Sequence, residues 1–365
     1  MSEPLTVLHL IPTLEVGGAE RQLSLLASEQ VRRGYSVHVA VRRDGEYGIM
    51  LRELGVVIHI LGDYRAIDFR LLFGIDQLLR RLKPQLVQTW LPQMDLIGGI
   101  VALERRVAWI ATERASSEAY DNDGAFFRNF ARKILVRWSS ALVTNSIGGA
   151  SYWRESLPKS NKLFIINNAI DHASISSAVK NANQPYYNQS TILIVGRLIP
   201  SKAFDVVLTA ISRIPQSVPL RVKLVGKGPL RESIVNIIQD LKLDNRVELL
   251  GNINWWSQMA GAAMLVSMSR FEGQPNVVLE AMSGSCPLVV SDIPAHRDIL
   301  DDQSAVFVPL DDSVELAIAI QSVLANPMMA RVRAAIARKQ VEAMTIENVA
   351  NSIDLIYKFA LEGNR

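Results

Sequence analysis

Residues 190–228, STILIVGRLIPSKAFDVVLTAISRIPQSVPLRVKLVGKG, carry the pattern that decides the fold. An apolar run, Thr191 to Val195, stops at Gly196. An amphipathic stretch, Ala203 to Ile214, follows it. A second apolar run, Val222 to Val225, then stops at Gly226-Lys227-Gly228. Strand, helix and strand at this spacing make a crossover unit, and a crossover unit makes its two strands parallel.

The same rhythm extends both ways. Downstream, LRESIVNIIQDLKL reads as a helix, and RVELLG, AAMLVSMS, PLVVSD and SAVFVPL read as strands. Upstream, LTVLHLIPTL is a strand, and GGAERQLSLLASEQVRRG a helix opened by Gly17-Gly18 and closed by Gly34. YSVHVAVRR, VVIHILG, QLVQTWL, VAWIATE, SALVTNS and KLFIINNAI are further strands, with a helix over RLLFGIDQLLRRLK. The polar stretch SSAVKNANQPYYNQS reads as a linker, and the tail from Pro327 onward as helix. The expectation is an α/β protein of two doubly wound, Rossmann-like domains facing across a cleft. They span 1–180 and 181–345, and a C-terminal helix, 346–365, packs back on the first. Ligands of such sheets bind at the carboxyl ends of the strands.

Composition agrees with this and excludes other classes. At 365 residues the chain is long enough for two cores, and 49% hydrophobic with 21% charged residues is an ordinary globular balance. A net charge of +3 gives no argument for nucleic acid. Residues 1–180 hold 22 Lys+Arg against 18 Asp+Glu, and the rest 17 against 18, so any acidic partner is expected on the first half. A single cysteine, Cys286, excludes an internal disulfide and a thiolate metal cluster. The apolar run Val7 to Leu14 is too short to span a membrane and lacks the flanks of a signal peptide, so a cytoplasmic protein is expected.

Three loops in the second half share one chemistry. Gly196-Arg197 follows ILIV, with Lys202 five residues on; Gly226-Lys227-Gly228-Pro229 follows VKLV; and SRFEGQPNVVLEAM, 269–282, follows MLVSM. Glycines let a backbone approach a ligand, and helix N-termini favour anions. Pro275 suits a first helical turn, so the N–H groups of Asn276, Val277 and Val278 point toward a bound group. Arg197 and Lys202 add positive charge, which suits a diphosphate. Glu280 in an apolar run is costly to desolvate unless it binds something, and a ribose diol is a fitting partner. Glu272 in the preceding turn is placed for sugar hydroxyls.

VGRLIPSKAFD, LVGKGPLRE, LLG and SRFEGQPNVVLEAMSGSCPLVVSDI together resemble the carboxyl half of the retaining glycosyltransferases of family 4. These are GT-B enzymes with two acids separated by seven residues. GGAER resembles that family's glycine loop, and VTNS and NNAID the end of its first domain. The resemblance makes 1–180 an acceptor-side domain and 181–345 a nucleotide-sugar donor-binding domain. It makes Arg197 and Lys202 the neutralisers of a departing diphosphate, with Glu272, Gln274, Pro275, Asn276 and Val277 at the transferred sugar. Glu280 takes the ribose, and Gly196, Gly226, Lys227 and Gly228 line the donor. Gly17 and Gly18 face the phosphates from the other domain. The implied reaction moves a sugar from a nucleotide donor, a UDP-sugar as first guess, to a hydroxyl of a glycan or lipid-linked acceptor. Such a reaction serves cell-surface polysaccharide or lipopolysaccharide synthesis, retains anomeric configuration and needs no metal.

The pattern breaks on the acceptor side. Many relatives carry a histidine where VAWIATERASS places Arg114, after Glu113, and histidines where QLVQTWL has Gln88 and Trp90. Trp90, Glu113 and Arg114 are therefore acceptor-side candidates. Of the five histidines, His9, His38 and His59 lie in strands and read as packing residues, whereas His172 and His296 stay open. Their spacing gives no metal site. Asp121-Asn122-Asp123 imitates an Asp-x-Asp metal motif but reads better as a capping loop. In FFRNFARKILVRW, 126–138, Phe127, Phe130, Ile134 and Trp138 share one helical side, flanked by Arg128, Arg132, Lys133 and Arg137. Such a helix either packs on its own sheet or lies on an anionic membrane. Three other functions fit the same frame: a nucleotide-sugar epimerase or hydrolase, a non-catalytic nucleotide-sugar-binding partner, or a dinucleotide oxidoreductase. The last is disfavoured because GKGPLRE lacks the full Gly-x-Gly-x-x-Gly run.

Overall fold

A computed structural model describes residues 4–64, 68–114, 126–157, 161–182 and 190–363. The Asp-x-Asp motif at 121–123 and residues 183–189 of the expected linker lie outside the described residues. The chain forms two compact units, 1–169 with 344–365, and 170–343.

Among the described residues the first unit holds a seven-stranded sheet in the order β3-β2-β1-β4-β5-β6-β7. The strands are β1 Thr6–Leu10, β2 Ser36–Val41, β3 Val57–Ile60, β4 Leu86–Trp90, β5 Ala108–Glu113, β6 Ala141–Thr144 and β7 Leu163–Ile165. Every pairing is parallel, for example Leu8 against His38 and Val87, so each connection crosses over one face. β4 and β5 are buried along their whole length, as central strands covered on both faces must be.

The C-terminal helix Ile346–Glu362 belongs to this unit through a buried polar chain. The Trp90 indole N–H donates to His9 Nδ1 at 3.2 Å, which leaves His9 Nε2–H to donate to Gln30 Oε1 at 2.8 Å. Gln30 Nε2 donates to the Tyr357 hydroxyl at 2.9 Å, and that hydroxyl donates to Gln88 Oε1 at 2.6 Å. Gln88 Nε2 then donates to Thr112 Oγ1 at 3.1 Å. All donors in the chain run one way, which makes it specific for a single docking of the helix. Burial pushes the His9 imidazole down to about 4, so it stays neutral, and His9 is the packing residue its strand position implied. At the rim, Arg33 pairs with Asp354 at 2.6 Å.

Among the described residues the second unit holds a six-stranded parallel sheet, β10-β9-β8-β11-β12-β13. Its strands are β8 Thr191–Val195, β9 Arg221–Val225, β10 Val247–Gly251, β11 Met264–Ser267, β12 Leu288–Ser291 and β13 Val306–Val308. The helix Phe204–Arg213 crosses from β8 to β9, with Val206, Val207, Leu208, Ala210 and Ile211 in the core. The order reverses direction between β8 and β11, the kind of switch point outside which open α/β sheets bind ligands.

The division between the units falls at 169/170 rather than 180. Ser176 to Lys180, expected in a linker, end the helix His172–Lys180, which packs in the second unit. Its His172 Nδ1 lies 2.8 Å from Ser283 Oγ. Among the described residues no single helix is long and apolar enough to cross a membrane.

Candidate active site

The exits of β8 and β9 are zipped together. Gly196 N–H donates to Val225 O at 3.0 Å, Leu198 N–H to Lys227 O at 3.0 Å and Leu230 N–H to Leu198 O at 3.0 Å. Gly226 has φ +153°, and a Cβ there would sit 1.9 Å from Gly196 O. A Cβ on Gly228 would sit 2.6 Å from Leu198 O. These two glycines are thus required by loop-to-loop packing. Gly196 is different: its Cβ would meet only the Lys202 side chain, at 3.5 Å. Arg197 and Lys227 are exposed on these loops, and Arg197 makes no ion pair among the described residues.

Lys202 closes the short 3-10 turn Pro200–Lys202, and its ammonium pairs with the Glu272 carboxylate. Ser269 Oγ donates to the same oxygen, Glu272 Oε1, at 2.7 Å. Burial alone would raise the Glu272 carboxyl, but the Lys202 charge and these hydrogen bonds outweigh it and hold it below the usual range. Glu272 is therefore ionised and oriented at neutral pH. Behind it, Ser291 Oγ at the end of β12 donates to Ser269 O at 2.6 Å.

Gln274 and Pro275 are buried before the helix Asn276–Ser283. Pro275 occupies the N-cap, one place earlier than expected, where it offers no side-chain acceptor to the first-turn N–H groups. Asn276 and Val277 are half-buried in that turn. Glu280 is 4% exposed, and its Oε2 accepts from the Trp256 indole at 2.8 Å. The structure thus brings Arg197, Lys202, Glu272 and the start of helix Asn276–Ser283 together at the carboxyl ends of adjacent strands. Positive charge and a helix N-terminus at one place suit an anion chemically, next to an ionised carboxylate.

The first unit places its candidates less uniformly. Gly17 and Gly18 stand at the N-terminus of helix Gly18–Arg32, directly after β1. Trp90 and Glu113, expected on the acceptor side, are core residues instead. Trp90 is fully buried with its indole engaged by His9. Glu113 is 1% exposed and receives Arg132 Nη1 at 2.8 Å and the Trp153 indole at 3.0 Å. Arg132 reaches Asp95 as well, at 2.7 Å, so one buried cation bridges two buried acids. Arg114 is half-buried, stacks 4.6 Å over the Trp90 ring and donates to Asn168 at 2.7 Å. Burial lowers its guanidinium to about 10.

Family models match both halves in succession: Glycosyltransferase Family 4 over residues 16–174, and Glycosyl transferases group 1 over 189–326. The chain belongs to the family 4 glycosyltransferases, with a GT-B fold. Among curated relatives, the N-acetylgalactosamine-N,N'-diacetylbacillosaminyl-diphospho-undecaprenol 4-alpha-N-acetylgalactosaminyltransferase of Campylobacter jejuni is 28% identical over 53% of this chain. The match spans only 53% of that relative's length. An uncharacterized glycosyltransferase of Haemophilus influenzae is 22% identical over 82% of this chain and 84% of its own. Among solved structures, Anabaena HepE in complex with UDP and glucose superposes with TM-score 0.85 and 17% identity, over 97% of this chain and 99% of its own. Sucrose-phosphate synthase from Thermosynechococcus elongatus gives 0.84 and 19%, over 98% of this chain and 100% of its own.

Three residues at the family's two acids were not legible beforehand. Trp256 and Ser269 hold Glu280 and Glu272, and Ser291 backs Ser269. A tryptophan pair, Trp255-Trp256, just after the strand RVELLG was the available signal for the first. Nothing in the sequence singles out the serines. Among the described residues no cluster of His, Cys, Asp or Glu could hold a metal ion.

Proposed function

We propose that the protein transfers a sugar from a nucleoside diphosphate donor to a hydroxyl of a glycan or lipid-linked acceptor, in polysaccharide or lipid-linked glycan synthesis. The reading rests above all on one observation: the Glu272 carboxylate held by Ser269 and Lys202, with Arg197 exposed at the exit of β8. The bond from the sugar C1 to the diphosphate oxygen breaks, and the electron pair leaves with the diphosphate. Arg197 and Lys202 stabilise that charge without a metal. The acceptor oxygen bonds to C1 on the face just vacated, so configuration is retained, and its proton passes to the departing phosphate. Glu280, oriented by Trp256, takes the ribose diol. HepE binds UDP and glucose, which supports uridine diphosphate as the first donor to test.

The test is the melting temperature with UDP, GDP and ADP, each with and without EDTA, and with NAD. A nucleotide at a hundred times its Kd stabilises by about 2.7 kcal/mol. A shift with one diphosphate that survives EDTA is expected. A shift with NAD alone overturns the reading.

Contact with an anionic membrane surface through 126–138, on the cytoplasmic side, is part of the proposal. In the helix Phe126–Val136 and just beyond it, Phe127, Phe130, Ile134 and Trp138 are 84%, 56%, 45% and 70% exposed. Arg137 is exposed beside them, and Lys133 lies half-buried over the Tyr152 ring. Arg132, expected on the basic rim, faces the core. An exposed apolar stripe with cationic neighbours fits the headgroup region of acidic lipid.

A further inference from the structure

His296 lies in the short helix Pro294–Arg297 that follows β12, and its side chain is fully buried. Its Nδ1 sits 2.8 Å from the carbonyl oxygen of Ser291. A carbonyl can only accept, so Nδ1 carries the proton. Burial holds the ring neutral, with the Glu272 charge opposing that effect only in part. The tautomer is thereby fixed: Nε2 is a bare lone pair, an acceptor. That atom is buried and has no hydrogen-bond partner among the described residues.

The ring is tied to the acid at the sugar position by an unbroken series of contacts. His296 Nδ1–H donates to Ser291 O, Ser291 Oγ donates to Ser269 O, and Ser269 Oγ donates to Glu272 Oε1. Ser269, Ser291 and His296 are at most 1% exposed. Within this rigid group Glu272 can only accept hydrogen bonds while ionised, and Nε2 can only accept as well. A buried acceptor left unmet is costly, so a persistent one signals a donor group that arrives from elsewhere. Sugar hydroxyls are such donors, and two acceptors held in one frame can read two of them.

We propose that His296 Nε2 accepts a hydrogen bond from a hydroxyl of the transferred sugar, making His296 a specificity-determining residue alongside Glu272. The assignment rests on the donor-site reading above.

The decisive experiment is nitrogen NMR of the imidazoles in the wild-type chain, with His296 assigned from His296→Gln. UDP, UDP-glucose and UDP-N-acetylglucosamine are added in turn. The expected spectrum has an unprotonated Nε2 that UDP leaves in place and that at least one sugar conjugate moves toward the hydrogen-bonded range. In parallel, His296→Phe should keep the UDP melting shift and raise KM for that conjugate about 3- to 10-fold. His296→Gln, whose amide oxygen reaches the same place, should stay within about twofold of wild type. An Nε2 signal unmoved by both conjugates while UDP still binds overturns the proposal, as does an equal response to UDP alone. A chain whose melting temperature ignores all three nucleotides removes the uridine donor reading itself, and this inference with it.

Discussion

Replacing Arg132 by methionine isolates the strongest electrostatic commitment in the first unit. Arg132 is 2% exposed and bridges Asp95 and Glu113, which are 0% and 1% exposed. Burial raises the Asp95 carboxyl to about 6 even with this guanidinium beside it. Without Arg132, two carboxylates remain in the core with no cation bridging them, Asp95 accepting from Thr89 and Glu113 from the Trp153 indole and the Arg114 backbone N–H. Breaking a buried pair in this way costs about 3–5 kcal/mol. The sign of its pH dependence follows from linkage. Loss of the cation raises the Asp95 carboxyl further above its unfolded value. Stability is then retained at low pH, where Asp95 is protonated, and lost as pH rises through its folded value. The deficit relative to wild type should be smaller at pH 5 and reach its full size at pH 8. Urea unfolding at the two pH values measures it directly. In heat denaturation the same loss is about 6–20 °C for a unit of this size. Adding Asp95→Asn should recover part of the loss at pH 8. A deficit below about 1 kcal/mol at pH 8, or one equal at both pH values, would refute the buried-triad argument.

Gly226→Ala must relieve both a φ of +153° and a 1.9 Å approach to Gly196 O. A stability loss of about 2–4 kcal/mol is expected together with a lost UDP melting shift, and a soluble variant with normal UDP binding would contradict it. Glu280→Ala should weaken UDP binding roughly 10- to 100-fold, while Glu272→Ala mainly lowers turnover. Calorimetry showing equal UDP affinity in Glu280→Ala and wild type would remove the ribose assignment. Cys286 is 2% exposed, and burial pushes its thiol up to about 12, so thiol reagents should label it only after unfolding. Phe127→Ser with Trp138→Ser should abolish flotation with phosphatidylglycerol vesicles but leave UDP binding unchanged. Equal recovery with acidic and neutral vesicles in the wild type would dispose of the membrane contact.

The parallel sheets were legible because a crossover unit is a local pattern: TILIV, a helix, then RVKLV, each with its own periodicity. The strand-exit loops of the second unit were legible for a related reason. Gly196, Gly226 and Gly228 mark strand exits, and SRFEGQPNVVLEAM carries its two acids within one turn and one helix. Even so, the reason for two of those glycines was hidden. Gly226 and Gly228 are needed because a second loop, thirty residues away in the chain, lies against them.

The strand ends of the first unit were the least legible part. Trp90 and Glu113 end their strands, and a strand's last residue can face the core or the solvent with the same sequence around it. Their orientation is decided by His9 and by Arg132, which lie far from them in the chain. Arg132 itself sits in a helix whose charges read alike in one dimension. Packing turns one of them inward and leaves Phe127 and Trp138 outside. The unit boundary was misplaced because Ser176 to Lys180 is polar, and polarity does not distinguish a linker from a surface helix. The sequence by itself determined the succession of strands and helices, the two α/β halves and the spacing of the two acids, since these depend on neighbours within a few residues. Only the tertiary structure decided which polar side chains are buried, which tautomer His296 adopts and which cation meets which acid. Those depend on groups brought together by folding, where a low dielectric makes each pairing obligatory.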